Sequence, residues 1–446
     1  MEYFTALGVQ TTLHHPATVD RSKPFELMPS VSVVPVAPML LEKPSGSLWA
    51  DPISHASAIA QIRRTIERSD IFYVHGANLP YIDISDECSI IHSVHDFVYH
   101  EAVTGVLNFT RDRLVAVSDY TGSCIREVFR RIRRVPSNSL QVVPNGFSSK
   151  HFTPVIADAL RARIGVSKED LCLLYPHRSD PDKGITAAID VVHTLKSLLS
   201  QDQYSRLRLL IPAWEAPRFG TEAPRHLTLP PDVEHYAKEL GVIDKLHTHP
   251  WISASDMPSY YSIGVATLCV GTVPEAFGNV HIESLLSGTP VVIARVGAQR
   301  TSIPDDLVRK IDPGRGDQAA NHIAEIIGEH ERVSKELREL LIERYSLTAM
   351  VRGYEQAILN CDPQPSATFS AAPAVELSST IRIPPWAASL ESGYYHDYTG
   401  YCTDNRFLRF VPEINSSVTV GELVRDGRIE MTDVRHWIDS GLITTE

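Results

Sequence analysis

The run Val291-Val-Ile-Ala294 constrains the fold of this chain more than any other stretch. A short apolar, β-branched run of this kind suits an interior strand of a parallel sheet, which needs helices on both faces. The residues before it carry such a helix. Phe277, Gly278 and Asn279 open it, and Gly288 closes it where a left-handed residue is needed. Thr289 and Pro290 then turn the chain into the strand. Two carboxylates, Glu275 and Glu283, flank the predicted helix start. Free N–H groups and the helix dipole favour anions at such a start. The carboxylates are therefore either plain caps or groups that hold hydroxyls of a ligand whose phosphate sits on the N–H groups.

The same alternation runs through the chain. Gly8–His14, Val31–Leu41, Asp70–Gly76, Ser89–Phe97 and Leu114–Ser118 read as strands, with helices over Ser54–Arg68 and Asp119–Arg134. In the first of these helices Ala58, Ile59, Ile62 and Ile66 share one face. After Gln141–Gly146 the pattern breaks, and a second series begins with the strand Leu171–Tyr175. It continues through a helix at Ile185–Leu199, a strand at Leu207–Ala213 and three closing helices up to Leu359. The expected fold class is therefore α/β, with two Rossmann-like doubly wound domains, 1–160 and 161–361, facing a cleft. Met1–Leu7 reads as the tail of a helix, so the strand and glycine-bearing loop that normally open such a domain are expected to be missing. Residues 362–417 read as a Pro/Ser/Ala linker and an aromatic, turn-rich segment, and 418–446 as two short helices.

With 446 residues the chain can bury two or three real cores. Its net charge of −12 argues against a broad nucleic-acid surface. Six cysteines stand singly with no zinc spacing, and no apolar run approaches a membrane span. A cytoplasmic protein with reduced cysteines is expected.

Strand ends of the two domains carry the candidate chemistry. Tyr175-Pro-His-Arg178 leaves the first strand of the second series, and Ser179-Asp-Pro-Asp-Lys-Gly184 turns into a helix. Arg178 and Lys183 suit a diphosphate, one as a fork and one as a point charge. Asp180-Pro-Asp182 reads as turn chemistry rather than a metal site. His95 and Asp96 end a first-domain strand and are expected to face the cleft, as is His75 more weakly. Arg126, Arg130, Arg131, Arg133 and Arg134 form a basic stretch, either a solvated face or a peripheral contact with an acidic membrane.

Taken together, these residues resemble the signature of retaining GT-B glycosyltransferases of family 4. Glu275 and Glu283 with Phe277-Gly278 and Gly288-Thr-Pro-Val-Val carry the resemblance, with Val142-Val-Pro-Asn-Gly146, Arg178 and Asp182-Lys-Gly184. The resemblance covers residues 1–360. It implies that Glu275 holds the hydroxyls of the donor sugar and Glu283 those of the ribose. Arg178, Lys183 and the N–H groups of Phe277, Gly278, Asn279 and Val280 would stabilise the departing diphosphate, as an oxyanion hole does. His95 would contact the transferred sugar. The implied reaction is a front-face substitution in which the leaving phosphate takes the acceptor's proton, with no metal or other cofactor. The donor would be a nucleotide sugar and the acceptor a small molecule, glycan or peptide. Two departures stand out. The family's first strand and Gly-rich loop are absent, and Val296-Gly-Ala-Gln-Arg300 replaces the usual Gly-Gly-x-x-Glu.

Residues 418–446 faintly resemble the MerR-type winged helix-turn-helix, through Thr419–Leu423 and Val434–Leu442. Six acidic residues against three arginines there favour a module that docks a protein over one that binds DNA. Two rivals to the transferase stay open: a non-catalytic nucleotide-sugar or partner-binding protein, and a GT-B sugar-nucleotide epimerase.

Overall fold

The computed structural model describes residues 1–17, 22–37, 41–42, 48–49, 51–76, 88–109, 112–134, 139–177, 183–213, 229–361, 368–369, 374–414, 418–425, 427 and 429–445. Arg178 and the Asp180-Pro-Asp182 turn lie outside the described residues.

The chain opens with a short helix, Glu2–Ala6, followed by β1 (Thr11–Pro16), β2 (Phe25–Met28) and β3 (Val31–Val36). These form a small sheet in the order β1-β3-β2, with β1 and β3 parallel. Helix α1 (Pro52–Ile66) starts with proline, which has no N–H to lose at that position, and the Asp51 carboxylate caps the N–H of Ile53 at 3.1 Å. It buries Ala58, Ile62 and Ile66, most of the face that the spacing predicts.

A second, wholly parallel sheet follows: β4 (Ile71–His75), β5 (Ser89–Val94), β6 (Arg113–Ala116) and β7 (Leu140–Val142), in the order β7-β6-β5-β4. Helices α2 (His100–Leu107) and α3 (Asp119–Ile132) lie between its strands in the chain. The Ser118 hydroxyl accepts from the N–H of Thr121 at 3.1 Å and so starts α3.

The second domain is built on six parallel strands. They are β8 (Leu171–Leu174), β9 (Leu207–Pro212), β10 (Leu246–His249), β11 (Gly264–Cys269), β12 (Val291–Ala294) and β13 (Arg309–Ile311). Their order is β10-β9-β8-β11-β12-β13. From β8 the chain works outward to one edge, then returns to β11 and works toward the other. The switch point therefore lies between β8 and β11, where parallel sheets open a crevice beyond their carboxyl ends. All four residues of β12 are buried, as expected of an interior strand. Helix α4 (Ile185–Leu198) follows β8, and α5 (Asn279–Leu286) precedes β12. Helix α6 (Gly316–Glu329) packs beside α4, and α7 (Lys335–Arg344) beside α5.

Helix α8 (Leu347–Leu359) returns to the first domain. Its Gly353 carbonyl accepts from the Gln141 amide at 3.2 Å, and its Tyr354 hydroxyl lies 2.8 Å from that of Ser93. A Cβ on Gly353 would stand 2.7 Å from Val143, so glycine lets the helix approach this closely.

The C-terminal segment is packed throughout its described part. β14 (Ile381–Arg382) pairs with β18 (Thr444–Thr445), and β15 (Ala387–Leu390), β16 (Gly393–His396) and β17 (Gly400–Tyr401) form an antiparallel meander. The predicted short helices are α9 (Val420–Arg425) and α10 (Met431–Asp439). Their apolar faces, with Leu423, Val434 and Trp437, join one core with Phe97, Ile125 and Phe129 of the first domain.

Candidate active site

Lys183 and Glu275 arise from the loops that leave β8 and β11, on either side of the switch point. Their side chains meet at 2.6 Å, each about one quarter exposed. Two glycines permit this. Gly184 has φ +84°, and a Cβ there would stand 2.8 Å from the backbone nitrogen of Gly271. Gly297 has φ +57°, and its Cβ would fall 2.6 Å from the Glu275 carbonyl oxygen. The Ala298 N–H donates to that oxygen at 2.8 Å, so the turn at Gly297–Arg300 forms the floor under Glu275.

Helix α5 begins beside this pair. Its N-cap, Gly278, has φ +87°, and no side chain caps it among the described residues. Neither carboxylate is thus a plain cap. Glu275 lies on Lys183. Glu283 lies inside the helix, in its second turn rather than flanking its start, and accepts from the Tyr261 hydroxyl at 2.7 Å. Burial pushes the Glu283 carboxyl above its ordinary range, against the pull of Tyr261. Phe277 turns inward, 4% exposed, stacked on Phe147 at 6.0 Å and edge-on to Tyr345. It anchors the helix start, where Gly278 and Val280 are half-buried and Asn279 is exposed. The Asn145 amide donates to the Asn279 side chain at 2.9 Å, tying the interdomain turn to the helix.

The first domain presents the opposite wall. Asp96 is the residue there that senses the pair: burial and then the Glu275 carboxylate raise its carboxyl, while Lys183 lowers it. The His95 ring turns aside. It lies 2.8 Å from the Ser93 hydroxyl and 3.9 Å, centre to centre, from the ring of His75. Burial, with His75 and His92 nearby, holds His95 down to about 4. His177, between Tyr175 and the helix, is likewise held at about 4 by burial. Both imidazoles are neutral near pH 7.

The domains are latched together close by. The hydroxyls of Ser118 and Thr121 both donate to the Ala276 carbonyl, at 2.5 and 3.1 Å. This clamp holds the residue after Glu275 from the far side of the cleft. Sequence reading missed it, because a serine and threonine at a helix start look like ordinary caps.

The arginine stretch is partly engaged inside the chain. Arg130 donates to the Thr445 carbonyl at 2.6 Å, and the Arg131 guanidinium lies 5.8 Å from the centre of the Trp386 ring. Arg126 is exposed. Among the described residues no helix is long and apolar enough to cross a membrane, and no cluster of His, Cys, Asp or Glu has the makings of a metal cage.

Comparison with known proteins bears on the family and the fold. Residues 157–344 match the family model described as glycosyl transferases group 1. The chain is 32% identical over 205 residues to the D-inositol 3-phosphate glycosyltransferase of Geodermatophilus obscurus, a match covering 46% of this chain and 42% of that enzyme. It therefore spans less than half the length of that relative. It is 22% identical over 321 residues to the lipopolysaccharide 1,2-N-acetylglucosaminetransferase of Salmonella typhimurium, covering 70% of this chain and 78% of that one. Among solved structures, sucrose-phosphate synthase from Thermosynechococcus elongatus superposes with a TM-score of 0.60 at 18% identity, covering 80% of this chain and 90% of that chain. HepE from Anabaena, in complex with UDP-glucose, superposes with a TM-score of 0.54 at 16% identity, covering 69% and 83%. At such identities the likeness is one of fold, and that fold is GT-B: two Rossmann-like α/β domains facing a cleft, here with a C-terminal extension.

Proposed function

We propose that this chain, whose residues 157–344 match the glycosyl transferases group 1 model, moves a sugar from a nucleoside-diphosphate sugar to an acceptor hydroxyl with retention of configuration. The observation that carries this reading is the Lys183–Glu275 pair at 2.6 Å beside the uncapped start of α5. A donor diphosphate at that start meets the first-turn N–H groups and the Lys183 ammonium. Glu275, four residues before the first residue of α5, offers acceptor oxygens to the sugar hydroxyls. Glu283 and Tyr261 stand deeper, where the ribose hydroxyls reach. Arg178 supplies a second cation to the phosphates.

In the proposed reaction the bond between the sugar carbon and the diphosphate oxygen breaks, and the acceptor oxygen bonds to the same carbon on the same face. The acceptor's proton passes to the departing phosphate oxygen. Lys183, Arg178 and the helix start stabilise the negative charge that develops there, in the manner of an oxyanion hole and with no metal required. Asp96 stands on the acceptor side, and neutral His95 lies behind it against Ser93 and His75. HepE was solved with UDP-glucose, which makes that compound a suitable first probe.

The test is calorimetric titration of the purified full chain with UDP-glucose and other nucleotide sugars, beside Lys183→Ala and Glu275→Ala. The expected result is binding with a dissociation constant no weaker than about 1 mM, the upper end of usual KM values, lost in Lys183→Ala. The reading is wrong if no nucleotide sugar binds, or if binding ignores Lys183.

A further inference from the structure

The aromatic hairpin of the C-terminal segment reaches the mouth of the cleft. A cavity of about 520 Å³ opens there, within the usual size of small-molecule sites. Its walls come from three places: Val98 of the first domain, Thr272 and Pro274 of the second, and Tyr395, Tyr398 and Tyr401 of the hairpin. Pro274 precedes Glu275, and Val98 lies two residues beyond Asp96. The Asp96 carboxylate is near enough to Tyr398 to help raise its phenol, after burial and other neighbours. The cavity thus opens beside the paired Lys183 and Glu275.

Its chemistry is narrow. Each tyrosine hydroxyl donates to a backbone carbonyl: Tyr395 to Thr272 at 3.2 Å, Tyr398 to Phe97 at 3.3 Å, and Tyr401 to Pro313 at 3.0 Å. These bonds tie the hairpin to both domains and hold the rings as fixed walls. Among the described residues that line it, none is a lysine or arginine, and most of the surface they offer is apolar. The Asp397 carboxylate, among the described lining residues, is engaged by Arg300 at 2.5 Å and by the Tyr120 hydroxyl at 2.7 Å. The described walls are aromatic and proline surface, with the Thr272 and Pro313 carbonyl oxygens each keeping a second lone pair. A neutral sugar ring fits this pattern. Its polarised C–H faces lie against electron-rich ring faces, and its hydroxyls donate to the carbonyls.

We propose that the C-terminal hairpin completes an acceptor subsite that takes an uncharged sugar ring. As an acceptor site this rests on the transferase reading; as a sugar site it stands without it. The experiment is saturation-transfer NMR and calorimetry on the full chain with methyl glycosides and neutral disaccharides, against glucose 6-phosphate and inositol 1-phosphate. UDP-glucose is titrated separately. Tyr398 is 44% exposed, and Tyr398→Ala is expected to keep the fold, which an unchanged urea-unfolding midpoint checks. Tyr398→Ala is expected to weaken neutral-sugar binding about tenfold, the loss of one aromatic contact, with UDP-glucose affinity unchanged. Tyr398→Phe, which keeps the ring, is expected to bind as wild type does. The subsite is refuted if no neutral sugar binds at millimolar concentration, if Tyr398→Ala binds normally, or if the phosphorylated sugars bind more tightly. Failure of UDP-glucose and every other nucleotide sugar to bind, with neutral sugars still bound, would overturn the transferase reading and leave the sugar site standing.

Discussion

Arg300 and Asp397, 97 residues apart in the chain, form an ion pair at 2.5 Å, and the aspartate side chain is wholly withdrawn from solvent. Arg300 lies in the turn that supports Glu275, and Asp397 in the turn between β16 and β17. The second carboxylate oxygen of Asp397 takes the Tyr120 hydroxyl of α3. Arg300 also donates to the Pro385 carbonyl at 3.1 Å. One buried contact therefore joins the second domain, the first domain and the C-terminal segment. Burial holds the Asp397 carboxyl above its ordinary range even with Arg300 against it.

Breaking this pair from one side leaves a buried charge alone. Arg300→Met is expected to cost about 3–5 kcal/mol in urea unfolding. The double variant Arg300→Met with Asp397→Leu is expected to recover much of that loss, because an apolar pair has no charge to desolvate. Equal losses in the single and double variants would show that the ion pair is not what matters here.

Lys183 and Glu275 touch, so their contributions are expected to be coupled. Loss of either is expected to lower transfer from a nucleotide sugar about a hundredfold or more, as for a single oxyanion-hole donor. The double variant is expected to lose less than the product of the two single losses. Steady-state kinetics on the four proteins measures this, and strictly multiplicative losses would contradict the shared site.

Gly297 tests the floor under Glu275. Gly297→Ala brings a Cβ to 2.6 Å from the Glu275 carbonyl oxygen at φ +57°. A loss of stability of roughly 2 kcal/mol or more and a raised donor KM are expected. Gly314→Ala is the control. Its φ of +77° is equally strained, but nothing stands within 4 Å of the added Cβ. It is expected to cost only about 1–2 kcal/mol and to leave donor KM alone.

Acid is expected to destabilise the protein through buried histidines. His92, His249 and His281 are 6%, 1% and 0% exposed. Burial holds the first two down to about 4 and His281 to about 3. The unfolded chain titrates near pH 6.5. Stability from these neutral rings is therefore complete above pH 6.5 and is lost as pH falls toward the folded values. Each contributes a slope of up to about 1.4 kcal/mol per pH unit. The raised carboxyls of Asp96, Glu283 and Asp397 act oppositely, since the folded state keeps their protons to higher pH. The clean measurement is therefore a difference. His281→Asn should make urea stability less steep between pH 7 and 5, and an unchanged slope would exclude this origin.

Legibility followed the physics of each element. Strands such as Leu171–Leu174 and Val291–Ala294 are buried on both faces and show as continuous apolar runs. The edge strand Leu246–His249 has one apolar residue followed by three polar ones, so neither an apolar run nor an alternation marks it. Lys183 and Glu275 were visible because each follows a readable strand. Tyr261 was not, since a tyrosine before a strand usually means packing alone. Arg300 stood out as a departure from the family's pattern, yet nothing near it in the chain announces Asp397.

By itself the sequence determined the alternation of strand and helix, and with it the parallel sheets and the loops that carry Lys183, Glu275 and the start of α5. Those features follow from local periodicity and from the backbone needs of single glycines. Only the tertiary structure decided that Lys183 closes on Glu275, that Ser118 and Thr121 clamp Ala276, and that the aromatic segment after residue 386 lines the cleft. Each of these joins residues tens to hundreds of positions apart. Such pairings are selected by burial and hydrogen-bond satisfaction across packed layers, which no window of neighbouring residues encodes.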